Sequence, residues 1–229
     1  MFLIFIFFFG LSLLVSWRFK SKANKYAQIS LTQDMSGAEI AEKMLRDNGI
    51  YDVKVITTEG QLTDHYNPLD KTVNLSRDNY YGRNITAAAV SAHECGHAVQ
   101  HAMAYPYLKF RSAMVPVQNA SAKVMNIIML VMMLGGFFLT KTFPFELVII
   151  TLIICQSIIT LFALVTLPVE FDASKRALAW LTNKGVVRAD ENGMAKDALN
   201  WAAMTYVVAA LAAVATLLYY VMLLLGRRD

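Results

Sequence analysis

Charged side chains are scarce in this chain of 229 residues. Asp, Glu, Lys and Arg make up 17% of it, against 56% hydrophobic residues. Soluble domains carry about 25% charged residues, so an ordinary soluble globule is disfavoured, and the apolar content excludes a disordered chain. The two cysteines, Cys95 and Cys155, are too few for a disulfide scaffold. The class that remains is an integral membrane protein.

The apolar residues are concentrated in four long segments that carry almost no charge. A helix needs about 20 apolar residues to cross a bilayer, and about 17 is the lower end of the range. The last two segments meet this length easily, and the first two are at its short end. We therefore predict four transmembrane helices, at residues 2–17, 124–140, 147–169 and 198–226.

The first two segments each allow a second interpretation. A cleaved signal peptide has basic residues before its apolar stretch, whereas in this chain Arg18, Lys20, Lys22 and Lys25 follow it. This order favours an uncleaved N-terminal anchor. Residues 124–140 are short enough to form a buried helix of a soluble domain instead, because length alone does not separate the two.

The basic residues indicate the orientation of the chain. If all four segments span the bilayer, residues 18–123 and 170–197 share one side, and the 141–146 turn and the 227–229 tail lie on the other. The shared side holds 18 of the 21 Lys and Arg residues. By the positive-inside rule this side is cytoplasmic and the N-terminus is outside, although the Arg pair of the tail argues mildly against this orientation.

Residues 34–50 have the pattern of a short amphipathic helix. Ser36 is a suitable N-cap, and Glu39 stands three residues later, where it completes a capping box. Gly49 is placed to end the helix.

The next residues have the pattern of strands. The alternation in residues 51–56 predicts one strand. Residues 61–66 and 72–76 flank the turn-forming residues 67–71 and predict a β-hairpin. Residues 72–75 are also a candidate edge strand for an extended substrate, although a half-buried sheet explains their alternation equally well.

An alanine-rich helix follows, with Asn84 as its cap and Pro106 as its end. It contains the sequence HECGH, an HExxH motif. Side chains at i and i+4 lie on one face of a helix, so His93 and His97 can bind one zinc ion. Glu94 is placed to accept a proton from a zinc-bound water, whose pKa the metal lowers to about 7. The motif therefore predicts a catalytic zinc site.

Such a site needs a third protein ligand. Glu170 directly follows the third apolar segment, and the two spans before it return the chain to the side of His93. Glu170 then completes a His₂Glu site with an open fourth position, although an acid at the membrane edge can also be an interfacial anchor. His101 is the alternative ligand, but it lies one further helical turn along and cannot easily bind a metal ion that His93 and His97 already hold. It is better placed beside the ligands or on the surface.

His65 is a secondary catalytic candidate. In this role it would stabilise the oxyanion or donate a proton. The alternative is a hairpin histidine that hydrogen-bonds to its own turn.

The HECGH helix, followed by a membrane hairpin and an acidic segment, resembles the YugP-type family of neutral membrane zinc metallopeptidases. The resemblance covers nearly the whole chain, including SGAEIAEKML, NGIYDVKV, LTDHYNPLDKTVNLS, HECGHAVQH and LPVEFDASKRAL. The chain is also similar, more distantly, to the membrane gluzincins of the HtpX and CAAX-protease type. The resemblance implies zinc ligands at His93, His97 and Glu170, and a catalytic base at Glu94.

One position departs from the gluzincin pattern. Gluzincins often carry Asp four residues after the Glu ligand, where this chain has Ser174. Asp172 is therefore our candidate for the group that orients a ligand histidine.

Together these patterns predict a mainly α membrane protein. Its fold is four transmembrane helices with a small α+β zincin-like catalytic domain, made of a short β-hairpin or sheet and the HExxH helix. The expected organisation is an N-terminal anchor, a cytoplasmic-side metallopeptidase region, a transmembrane hairpin, a Glu-ligand segment, and a C-terminal transmembrane helix with its tail, at residues 1–17, 18–123, 124–169, 170–197 and 198–229.

The predicted function is a membrane-embedded zinc endopeptidase of the cell membrane. It would hydrolyse peptides or membrane proteins near the cytoplasmic surface of the bilayer. The alternative is a non-catalytic, zinc-stabilised scaffold or adaptor, which has no need of Glu94. A metal transporter is disfavoured because the spans hold no ionisable residue except Glu146 at a boundary. No nucleic-acid partner is expected, since the basic residues follow the membrane topology and do not form a patch.

Overall fold

The computed structural model describes residues 2–142 and 144–226 of the chain. The predicted 227–229 tail and residue 143 of the predicted turn lie outside the described residues. The described part is mainly helical, with one small sheet. Its elements are α1 (Phe2–Ala27), α2 (Gly37–Asp47), β1 (Lys54–Thr58), β2 (His65–Asn67), β3 (Thr72–Ser76), α3 (Arg77–Tyr81), α4 (Ile85–Ala102), α5 (Pro106–Thr142), α6 (Phe145–Asn183) and α7 (Ala189–Leu225).

Helix α2 begins and ends as the sequence predicts. The Ser36 hydroxyl accepts a hydrogen bond from the Glu39 backbone N–H at 3.2 Å, and the Glu39 carboxylate accepts one from the Ser36 N–H at 2.7 Å. This capping box satisfies backbone donors that the first turn of a helix leaves without partners. Gly49 follows the helix with φ +71°, a left-handed conformation that glycine adopts without steric cost.

The sheet has the strand order β1-β3-β2. Strands β2 and β3 pair antiparallel, with Tyr66 opposite Val73, which confirms the predicted hairpin. Strand β1 pairs with β3 in parallel, with Val55 opposite Val73. The prediction that residues 72–75 form an edge strand is wrong, because β3 has a neighbour on each side and all of its residues are buried. The edges of this sheet are β1 and β2.

Helix α4 is capped by Asn84, whose side-chain oxygen accepts the Ala87 N–H at 2.9 Å. It ends at Ala102, and Pro106 begins α5, a position where the missing N–H of proline costs little. The Cys95 thiol of α4 lies 3.5 Å from the Ala41 carbonyl oxygen of α2, so the two helices pack closely here.

In the part of the chain that the structure describes, four helices are long and apolar enough to cross a membrane, which confirms the predicted number of apolar helices. They are α1 from Leu3, α5 as far as Leu134, α6 and α7. Each of them extends beyond its predicted apolar span. Helix α1 continues through Lys20 and Lys22 because lysine is a good helix former, and α6 continues through Pro168 into the segment that holds Glu170.

The apolar side chains of these helices are largely exposed. Leu3 is 80% exposed and Met133 is 76% exposed. Continuous apolar surface of this kind is typical of contact with lipid, in agreement with the composition of the chain.

The chain divides into two compact units. The first, which we call the apolar unit, comprises Met1–Ser12, Phe110–Leu167 and Tyr206–Asp229. Its core includes Ile149, Leu152 and Tyr220. Polar groups within it are satisfied by backbone oxygens: the Gln156 amide donates to the Ala213 carbonyl at 3.0 Å, and the Thr160 hydroxyl donates to the same oxygen at 3.1 Å.

The second, which we call the polar unit, comprises Leu13–Lys109 and Pro168–Thr205. Its core joins side chains of α2, β3 and α4 to side chains from the parts of α6 and α7 that belong to this unit. The largest fully buried members are Ile40, Met44, Val73, Leu75, Ile85, Leu181 and Val186. This core holds α4 and the start of the Pro168–Thr205 segment together, and the candidate site lies on these two elements.

Candidate metal centre

His93 and His97 project from α4 one turn apart. Their ring centroids are 4.8 Å apart, and the ring planes are inclined by 84°. Both side chains are mostly buried. Four residues correspond to slightly more than one helical turn, so this arrangement follows directly from the spacing of the motif.

A close approach of two helices brings a carboxylate to these rings. A Cβ atom at Gly96 would lie 2.6 Å from the backbone carbonyl oxygen of Ala173 in α6. Only glycine leaves room for the α6 backbone at this point. Glu170 precedes Ala173 by three residues, nearly one helical turn, so the contact at Gly96 also determines where Glu170 meets α4.

Glu170 lies between the two histidines. Its Oε2 is 3.3 Å from the His93 Nε2 and 3.6 Å from the His97 Nε2. One ligand atom from each residue lies within 4.8 Å of the other two. The Glu170 side chain is only 4% exposed. Two imidazole nitrogens and a buried carboxylate at these distances can hold a divalent metal ion such as zinc.

Glu94 lies next to His93 in α4 and is 8% exposed. Within residues 2–142 and 144–226, no group forms a hydrogen bond or an ion pair with its carboxylate. Its negative charge nevertheless acts on His97 and Cys95, whose pKa values it raises. A largely buried carboxylate thus follows the first ligand histidine directly in the chain.

The cluster changes the protonation of neighbouring groups. Burial lowers the pKa of the His97 imidazole, but Glu170, with smaller contributions from Glu94 and Gln100, outweighs burial, and the pKa is raised above its usual value. Burial raises the pKa of the Cys95 thiol well above its usual value, and Glu94 raises it further. Cys95 is therefore a neutral thiol inside the core and is not one of the clustered groups.

The outer nitrogens of both histidines face polar side chains. The Ser174 hydroxyl oxygen lies 3.1 Å from the His93 Nδ1, and the Gln100 Oε1 lies 3.0 Å from the His97 Nδ1. Among the described residues, Asp172 contacts neither ring. Its carboxylate instead accepts a hydrogen bond from the Gln100 amide at 2.8 Å. The orienting contacts expected of Asp172 are thus made by Ser174 and Gln100.

Sequence reasoning overlooked both of these contacts, although each had a signal. Ser174 stands four residues after Glu170, where gluzincins often carry Asp, and its hydroxyl reaches the ring from that position. Gln100 follows His97 by three residues on α4, a spacing that places two side chains next to each other on a helix.

The remaining two histidines of the chain do not join the cluster. His101 is exposed, and its Nδ1 lies 2.9 Å from the Tyr66 hydroxyl. His65 is also exposed, and its Nδ1 lies 2.8 Å from the Thr63 carbonyl oxygen. His65 thus contacts a residue two positions before it and not the predicted 67–71 turn.

Comparisons with known proteins identify the family of the chain. Residues 1–225 match a family described as "Putative neutral zinc metallopeptidase". The chain is 41% identical over 221 residues to the "Putative membrane protease YugP" of Bacillus subtilis (strain 168), and the alignment covers 96% of this chain and 94% of that protein. No solved structure matches the chain significantly. The chain therefore belongs to the family of putative neutral zinc metallopeptidases.

Proposed function

We propose that this protein is a membrane-embedded, zinc-dependent endopeptidase of the gluzincin type. Its metal ligands are His93, His97 and Glu170, and its general base is Glu94. The observation that carries this proposal is the convergence of the three ligand atoms within 4.8 Å of one another. Glu94 directly follows the first of these ligands in α4.

The two distances from the Glu170 carboxylate oxygen to the histidine nitrogens suit zinc. With zinc–nitrogen and zinc–oxygen bonds of about 2.0–2.2 Å, two ligand atoms of a tetrahedral site are about 3.3 Å apart. The Glu170 Oε2 lies 3.3 Å from one histidine Nε2 and 3.6 Å from the other. Held by these three protein ligands, a zinc ion would keep a fourth position open, as hydrolytic zinc sites require.

Each residue around the metal position has a separate role in the proposed reaction. Zinc, when bound, supplies a Lewis acid that polarises a carbonyl and lowers the pKa of water to about 7. The Glu94 carboxylate accepts the proton of the attacking water and delivers it to the leaving amide nitrogen as the C–N bond breaks. Ser174 and Gln100 keep the His93 and His97 rings in the orientation that directs both Nε2 atoms to Glu170.

We propose that the substrates are peptides or membrane-protein segments close to a lipid bilayer. Two findings support this: the four helices suited to span a membrane, and the similarity to a protein described as a membrane protease. No nucleic-acid partner is included in the proposal.

We further propose that the site faces the cytoplasm in a multi-pass protein of the cell membrane. This proposal is supported by the Lys and Arg distribution, since 18 of the 21 lie in the two stretches 18–123 and 170–197. Glu170 and its neighbours belong to the second of these stretches, and the HExxH helix belongs to the first.

The replacement Glu94→Gln tests the enzyme assignment. It removes the base but leaves all three ligands, so one zinc per chain should remain while the cleavage rate of a casein-like substrate falls by about 10²–10⁴-fold. The matched control is Glu42→Gln, at an exposed position of α2, which should cleave at the wild-type rate.

The same replacement separates the enzyme from a scaffold. A metal that only supports folding does not need a carboxylate beside its first ligand. If the Glu94→Gln protein cleaves substrate as fast as the wild type, Glu94 is not the base and the proposed mechanism fails.

A further inference from the structure

Gln100 is fully buried in α4 and makes three polar contacts within the polar unit. Its Oε1 lies 3.0 Å from the His97 Nδ1. Its Nε2 donates to the Val169 carbonyl oxygen and to the Asp172 carboxylate, both at 2.8 Å. The amide thus links a proposed metal ligand on one helix to two acceptors on another.

The two acceptors determine which way the amide faces. A backbone carbonyl and a carboxylate accept hydrogen bonds and have no proton to give. With the Gln100 amide rotated by 180°, its oxygen would meet both of these oxygens and its NH₂ group would face His97. Buried polar groups without partners are costly, so the network selects the orientation in which Oε1 faces the histidine ring.

This orientation in turn selects one tautomer of His97. A neutral imidazole has one N–H group and one nitrogen lone pair. Because the Gln100 Oε1 can only accept, the Nδ1 of His97 must carry the hydrogen. The lone pair is then on Nε2, the nitrogen that lies 3.6 Å from the Glu170 carboxylate in the ligand cluster.

Arg176 also belongs to this network, through Asp172. Its Nε donates to the Asp172 carboxylate at 2.6 Å, and its guanidinium carbon lies 5.9 Å from the centre of the Tyr105 ring. Asp172 is therefore held between a cation and the Gln100 amide. Arg176 and the Gln100 NH₂ group both donate to the Asp172 carboxylate, so the Gln100 oxygen is left to accept from His97.

His93 has no equivalent network among the residues that the structure describes. Its Nδ1 faces the Ser174 hydroxyl at 3.1 Å, and a hydroxyl can either donate or accept. Ser174 can therefore hold the His93 ring in place with either tautomer, whereas Gln100 accepts only one tautomer of His97.

We propose that Gln100 is a positioning residue for the metal centre: fixed by Asp172 and Arg176, it holds the His97 ring in the tautomer whose Nε2 is free to bind the metal. This inference rests on the proposed zinc site. It assigns a role to a residue outside the HExxH motif and the three ligands.

The first test is zinc affinity, measured by competition with a chelator on the full-length protein in detergent. The Gln100→Leu variant removes the acceptor and should bind zinc about 10–100-fold more weakly than the wild type. The matched control is Gln156→Leu, which makes the same change at a buried glutamine of the apolar unit that donates to the Ala213 backbone carbonyl. It should bind zinc as the wild type does.

The second test is a rescue that a packing role does not predict. In the Gln100→Glu variant the new carboxylate still accepts from His97, but it faces the Asp172 carboxylate with no hydrogen between them. Zinc affinity should therefore fall. Adding Asp172→Asn supplies an amide N–H to the new carboxylate, although the Val169 carbonyl still lacks its donor. The double variant should therefore recover part of the affinity lost in Gln100→Glu.

The outcomes separate this inference from the proposed function. Wild-type zinc affinity in Gln100→Leu, or a double variant no better than Gln100→Glu alone, would overturn the positioning role while the zinc site stands. A wild-type protein that binds no zinc, or that keeps it after Glu170→Ala, would overturn the proposed site itself.

Discussion

Gly96 of α4 and Ala173 of α6 lie so close together that a methyl group on Gly96 would come within 2.6 Å of the Ala173 carbonyl oxygen. This contact places the backbone of α6 against the motif, between the two positions that carry the histidines. Because Gly96 has no side chain, α6 can approach the HExxH motif closely, and this approach determines where Glu170 lies relative to the two histidines.

The variant Gly96→Ala tests this connection. Alanine favours a helix by about 1 kcal/mol over glycine, but its Cβ would push against backbone, and overpacking of this kind costs about 1–3 kcal/mol. We expect lower stability and weaker zinc binding, measured by helical circular dichroism on unfolding and by chelator competition.

The matched control is Gly193→Ala in α7, where a Cβ atom would meet nothing within 4 Å. It should raise stability by about 0.5–1 kcal/mol and leave zinc binding unchanged. If Gly96→Ala behaves like this control, the close approach of α4 and α6 does not position the site.

Local signals in the sequence predicted the local structure well. Ser36, Glu39 and Gly49 mark the ends of α2, and Asn84 marks the start of α4, because caps depend on residues within one turn. The hairpin of β2 and β3 followed from its turn in the same way. The parallel pairing of β1 with β3 depends on packing between distant segments, so the alternation within each strand did not reveal it.

The site was predicted less completely than the motif. The spacing of His93 and His97 gives their relation directly, and the return of the chain after the apolar hairpin suggested Glu170. The contacts of Gln100 and Ser174 with the outer ring nitrogens depend on side-chain directions across two helices. Helix lengths were also underestimated, since hydropathy reports the apolar part of α6 and not where the helix ends.

The capping box of α2 should make stability depend on pH. The hydrogen bond from the Ser36 N–H lowers the pKa of Glu39, with a further contribution from Arg83, although burial opposes the shift. The folded pKa is then below the unfolded value of about 4.3. The stabilisation is complete above the unfolded pKa and is lost as pH falls through the folded one.

Comparing the wild type with Glu39→Gln isolates this effect. Because the Glu39 side chain is half exposed, the difference should be a few tenths of a kcal/mol, or about 1 °C in Tm. Thermal unfolding should show the wild-type advantage above about pH 4.3 and its disappearance in stronger acid. An advantage that grows on acidification would contradict the shift.

Cysteine labelling tests the proposed orientation. In a protein whose two native cysteines are replaced by alanine, Tyr51→Cys places a thiol at an exposed position of the polar unit, and Pro144→Cys places one between α5 and α6. An impermeant maleimide added to intact cells should label the second variant and not the first. Labelling of Tyr51→Cys alone would reverse the assignment of the cytoplasmic side.

The central claim is that His93, His97 and Glu170 bind one zinc ion, and the metal content of the purified protein measures it most directly. We predict one zinc per chain in the wild type and in His101→Ala, since His101 is exposed and pairs with Tyr66. We predict loss of zinc in Glu170→Ala. Full zinc content in Glu170→Ala, or its loss in His101→Ala, would contradict the account.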